Sequence, residues 1–115
     1  MLAALNLLDE MDGRRIAVLG DMLELGPYEK QGHEMVGMRA AQVVRTLLTL
    51  GPRAHMIADA ARRAGMKLNQ IFEFETSELI VDWLNKNLTS NDAVLIKGSH
   101  GLRMDRITAA LEVRS

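Results

Sequence analysis

Two short polar segments of this chain have the residue types of a ligand rim. The first, Gly20-Asp21-Met22, follows the apolar run Ile16-Ala17-Val18-Leu19. The second, Lys97-Gly98-Ser99, follows Ala93-Val94-Leu95-Ile96. An aspartate at the end of a buried strand can accept hydrogen bonds from sugar hydroxyls, and it is too costly to bury without polar partners. A lysine beside a hydroxyl and free backbone N–H groups suits a carboxylate or a phosphate. A helix starting after Gly101 would add the favourable partial charge of its N-terminus. A plainer reading stands beside this one, in which Asp21 caps its own loop and Lys97 is a solvated charge at a strand end.

These segments need a scaffold, and the hydrophobic pattern supplies one. Apolar runs of four residues without polar alternation suit strands covered on both faces. A helix over Met1–Met11 carries Leu2, Leu5 and Leu8 and ends at Asp12-Gly13; the first strand is Arg15–Leu19. Gly26-Pro27 turns the chain into a helix from Tyr28 to Val43, with His33, Val36, Ala40 and Val44 on one stripe. Gly32 and Gly37 each weaken that helix by about 1 kcal/mol relative to Ala, which predicts close packing against the sheet. A second strand over Val44–Leu50 is followed by Gly51-Pro52, opening a helix with Ile57, Ala61 and Ala64 and ending at Gly65.

The rhythm then repeats. Ile71, Phe72 and Phe74 form a third strand, and Thr76 or Ser77 caps a helix whose Leu79, Ile80, Trp83, Leu84 and Leu88 face the core. After the Ala93–Ile96 strand comes a last helix carrying Met104, Ile107, Thr108 and Leu111. Such alternation predicts an α/β Rossmann-like three-layer sandwich, with a mainly parallel sheet of about four strands and helices on both faces. A strand order of 3-2-1-4 would open the Asp21 and Lys97 loops onto one crevice.

Composition excludes several functions. With 115 residues, 48% hydrophobic, the chain suffices for one domain spanning 1–115. Lys plus Arg number 14 against 15 Asp plus Glu, which gives no electrostatic case for nucleic acid or an anionic membrane. The absence of cysteine removes disulfides and thiolate metal sites, and the expected compartment is cytoplasmic. MLAALNLL meets Asp9 and Glu10 at once and lacks a basic flank, so it reads as a helix rather than a signal peptide or membrane span.

No phosphate-cradling G-x-x-x-x-G-K-[ST] and no G-x-G-x-x-G occurs. The three histidines are not in ligand spacing, so no metal site is expected, and His33 is expected to bond back to the Asp21 loop. Ser99 and His100 lack a third member of a hydrolase triad, and no residue is assigned a catalytic role. LGDMLELGP has the Gly-Asp of a metallophosphoesterase but neither the preceding Asp-x-His nor a later Asn-His-Glu.

IAVLGDMLELG, HEMVGMRAA and AVLIKGSHGLRMDRI together resemble, in order and spacing, the carboxyl-terminal domain of bacterial Mur ligases, nearest to the D-alanyl-D-alanine-adding members. The resemblance covers Met1 to about Glu112. Asn91-Asp92 stands where the family often has Gly-Asp, and His100 and Met104-Asp105 stand where it often has Arg and Met-Glu.

The resemblance implies one domain of a three-domain monomeric enzyme that uses ATP and Mg2+ to join D-alanyl-D-alanine to UDP-N-acetylmuramoyl-tripeptide. The amino-terminal and central domains would be its partners, and alone it would bind no cofactor and be inactive. By the same resemblance Asp21 meets the ATP ribose. Lys97 and Ser99 contact the dipeptide, joined by Arg103 unless it is a solvent-facing helix arginine, with Gly20, Gly98 and His33 as structural support. On that basis Asp21→Ala is expected to weaken ATP use more than stability. The alternative is a free-standing Rossmann-like module that binds a nucleotide or a partner protein without catalysis.

Overall fold

The computed structural model describes residues 1–23 and 25–98. Helix α1 (Leu2–Asp9) leads into strand β1 (Arg14–Gly20), and a 3-10 turn at Gly26–Tyr28 precedes helix α2 (Glu29–Val43). Strand β2 (Thr46–Leu50), helix α3 (His55–Arg63), strand β3 (Ile71–Phe74), helix α4 (Ser77–Asn87) and strand β4 (Asp92–Lys97) complete the order. The last predicted helix lies outside the described residues. All pairings are parallel and the strand order is β3-β2-β1-β4, as the alternating pattern predicted.

The pleat of β1 divides the core in two. Ala17 and Leu19 pack with Leu5, Val36, Ala40 and Ile57 from α1, α2 and α3. Ile16 and Val18 point the other way, onto Ile80 and Leu84 of α4. All four β1 side chains are fully buried, which is why this strand shows no polar alternation. The chain leaves β1 towards β2, whereas β4 arrives on β1's other side with α4 on the opposite face. β1 and β4 therefore flank the point where successive connections diverge, the place at which open α/β sheets form a crevice.

Three local expectations change. Gly37 packs against α3, not the sheet: a Cβ there would collide with the Ile57 carbonyl and the Ala60 side chain. The small residue lets two helices approach, since Ala58, Ala60 and Ala61 keep the facing surface low. Leu79 is 50% exposed, because Ser77, Ile80 and Leu84 define the buried stripe of α4 and residue 79 falls outside it. Gly51-Pro52 does not itself start a helix: a turn over residues 51–54 intervenes, with Gly51 at φ +104°. The predicted Thr76 cap is present, its hydroxyl accepting from the Leu79 N–H at 3.3 Å.

Candidate functional site

Register fixes where the two polar loops emerge. Leu19 lies opposite Lys97 on one side of β1, and Gly20 lies opposite Leu50 on the other. Asp21 therefore leaves the sheet between the ends of β4 and β2, on the same rim as Lys97 and Gly98. Lys97 is exposed and has no carboxylate partner among the described residues. Ser99 and Arg103 lie outside the described residues.

Asp21 itself is only 2% exposed. Its Oδ1 accepts the Ala54 backbone N–H at 2.6 Å, and its Oδ2 is 3.6 Å from Arg53 Nη1. The partner demanded by a buried carboxylate is thus the turn after β2. Gly51 makes room for it, since an added Cβ would sit 2.6 Å from Asp21 Oδ1. Arg53 also pairs through Nε with the Glu29 carboxylate in the first turn of α2, where an acid is favoured by the helix dipole.

His33 closes the arrangement from below. It is fully buried, and Met22 N–H donates to its Nε2 at 3.0 Å while its Nδ1 lies 2.6 Å from the Glu29 carbonyl. Those two contacts assign the Nδ1–H tautomer, donating to the carbonyl and accepting from the loop. The expected bond from His33 to the Asp21 loop is therefore present. Met22, His33, Glu29, Arg53 and Asp21 form one continuous circuit that immobilises the loop.

The sequence reading missed Gly51, Arg53 and Glu29. Gly51-Pro52 stands after β2 as Gly20-Asp21 stands after β1, and that parallel was the available signal.

A second charged group lies on α3 and β3. His55 Nδ1 is 2.6 Å from Glu73 Oε1, and its Nε2 is 3.3 Å from Asp59 Oδ2. Arg62 bridges the same two acids at 2.7 and 3.0 Å, completing a ring of alternating charge. Burial pushes the Glu73 carboxyl up, but hydrogen bonds from Arg62 and His55 outweigh it and leave it below the usual range. The hydrogen bond to Glu73, followed by the charges of Glu73 and Asp59, raises His55 above its ordinary 6.5. A raised folded value means the ring's contribution is fully present below the unfolded value and fades as pH rises through the folded one. Following the His55 ring protons by NMR against pH should give a midpoint above 6.5, moved downward by Glu73→Gln. An unchanged midpoint in that variant would remove Glu73 as the cause.

Among the described residues, no group of three or more His, Asp or Glu is placed to hold a metal ion. Nor is any helix there long and apolar enough to cross a membrane. Among the described residues, the rim offers the Lys97 ammonium without a carboxylate partner, the half-buried Gly98 and a rigidly held carboxylate. Such a surface can contribute contacts to a polar ligand.

Comparison with known proteins bears on the family and the fold. The UDP-N-acetylmuramoyl-tripeptide–D-alanyl-D-alanine ligase of Bacillus subtilis (strain 168) is 27% identical over 114 residues, covering 96% of this chain and 25% of that protein. Its namesake from Escherichia coli (strain K12) is 30% identical over 115 residues, covering 97% and 24%. The chain thus spans about a quarter of the length of these curated relatives.

Among solved structures, a MurF ligase from Thermotoga maritima in complex with ADP superposes with a TM-score of 0.76 at 28% identity, covering 97% of this chain and 26% of that one. MurF from Acinetobacter baumannii, at 23% identity and a TM-score of 0.75 over 95% of this chain and 24% of that one, shares the fold. Residues 1–100 match the family described as Mur ligase, glutamate ligase domain, and with that span matched the chain belongs to this family.

Proposed function

We propose that this chain acts as the carboxyl-terminal domain of a ligase that uses ATP and Mg2+ to join D-alanyl-D-alanine to UDP-N-acetylmuramoyl-tripeptide. The observation that supports the reading is the Leu19–Lys97 register, which brings the carboxyl ends of β1 and β4 to one rim in a chain whose relatives bear that name. The rest of the enzyme would supply the phosphate-cradling loop and the magnesium ligands that this sequence lacks. This domain would close over the reacting groups, exclude water from the acyl phosphate and align the incoming amine.

Within that reading the residues divide their work. Lys97 is the cation for the dipeptide carboxylate, and Ser99 and Arg103 are assigned to the same ligand by the family resemblance. Asp21 is the acceptor for the ATP ribose. A carboxylate has roughly four lone-pair sites, so Asp21 can keep its bond to Ala54 N–H while the looser 3.6 Å contact to Arg53 gives way to a hydroxyl. His33, Gly20 and Gly98 hold the loops in shape.

The test is an assay of the complete reading frame with both substrates, ATP and magnesium, quantifying amide and ADP. Equimolar amide and ADP are expected, while the 115-residue chain alone should turn over no ATP. Failure of the complete protein to ligate, or ATP hydrolysis by the isolated chain, would overturn the proposal.

A further inference from the structure

At the opposite end of the sheet from this rim, the amino-terminal ends of β1 and β2 open onto a groove of about 820 Å³. Arg14, Arg15, Arg45 and Lys67 line it with Asn69 and with Gln70, whose side-chain oxygen accepts from the Lys67 N–H at 3.0 Å, and no carboxylate is among its lining residues. Two of the four cations are engaged. Arg14 grips Asp92 through two hydrogen bonds of 2.9 and 2.7 Å. Arg15 donates to the Val43, Asp9 and Met11 carbonyls and lies 3.6 Å from the Asp9 carboxylate.

Arg45 and Lys67 are different. Both are exposed, and neither has a carboxylate partner among the described residues. Six of the arginines among those residues sit on carboxylates: Arg14, Arg15, Arg39, Arg53, Arg62 and Arg63. Arg45 is the exception. A chain of net charge −1 thus pairs its other described arginines and leaves this one facing a concavity already lined by like charge. A concave surface focuses such a field, and a bound anion would relieve the remaining repulsion between Arg45 and Lys67. A guanidinium fork beside an ammonium and amide donors matches phosphate oxygens, and a recessed groove suits a compact ligand better than a flat bilayer.

We propose that this groove binds a small phosphorylated anion carrying at least two negative charges, bridged between Arg45 and Lys67. It lies at the far end of the strands from Asp21 and Lys97 and stands or falls independently of the ligase reading.

The experiment is calorimetric titration of the 115-residue chain with inorganic pyrophosphate, with sodium chloride at matched ionic strength as the blank. Backbone amide shifts would locate the site. One saturable event is expected, weakening steeply with added salt and moving Gly13, Arg45, Lys67 and Asn69. Arg45→Ala and Lys67→Ala should each weaken it about tenfold, Arg45→Glu should abolish it, and Lys67→Arg should retain it. Both positions are exposed, and unchanged amide spectra elsewhere would verify that each variant is folded. The proposal is overturned if the folded chain shows no saturable binding, or if binding survives Arg45→Glu. Sedimentation with phosphatidylglycerol vesicles, without pyrophosphate binding, would overturn it in favour of a lipid headgroup.

Discussion

Gly51→Ala is expected to lower the stability of the chain by about 3 kcal/mol, read as an earlier midpoint in urea unfolding. Two costs combine. Gly51 has φ +104°, a conformation that side-chain-bearing residues rarely adopt, and its new Cβ would lie 2.6 Å from a buried carboxylate oxygen. Gly26 separates the two, because it also has positive φ, +57°, yet a Cβ there meets nothing within 4 Å. Gly26→Ala should therefore cost only about 1 kcal/mol. Equal losses at the two positions would mean that contact with Asp21 does not matter.

Asp21→Ala should cost a similar amount, about 3 kcal/mol, because it strands the Ala54 N–H in a water-poor site and removes a charge that Arg53 faces. Asp21→Asn keeps an oxygen for Ala54 and should lose only about 1 kcal/mol. The expectation that Asp21→Ala weakens ATP use more than stability therefore needs both losses measured, because a carboxylate with 2% exposure and two protein partners holds structure whatever else it binds. The two sites should also couple. In an Asp21→Ala background the clash at residue 51 disappears, so Gly51→Ala should cost about 1 kcal/mol less than in the wild type. Strict additivity in urea titrations of the double variant would contradict the contact.

What was legible in the sequence follows from which interactions are periodic. The runs Ile16–Leu19 and Ala93–Ile96 advertise buried strands, and alternation with helices restricts them to parallel pairing, so the order β3-β2-β1-β4 was within reach. His33 was legible too, because it lies one turn into the helix that follows the Asp21 loop.

The Asp21–Arg53 and Asp21–Ala54 contacts were not. They join residues more than thirty positions apart, and only the Gly20–Leu50 register brings the turn after β2 beside the loop after β1. Gly37 announced close packing without naming its partner, since a missing side chain fits a neighbouring helix as well as a sheet. Leu79 misled because its hydrophobicity suggested burial, whereas the helical period assigned the core to Ile80 and Leu84.

The most direct test of the shared rim uses two ligands that carry no phosphate, adenosine and D-alanyl-D-alanine, each titrated into the labelled 115-residue chain. Binding by a single domain should be weak, because little ligand surface can be buried, but amide shifts register millimolar contact. Adenosine should move Gly20, Asp21, Met22 and Leu23, and the dipeptide should move Lys97 and Gly98. Shifts confined to the amino-terminal ends of the strands, or none in a folded chain at saturating ligand, would contradict it.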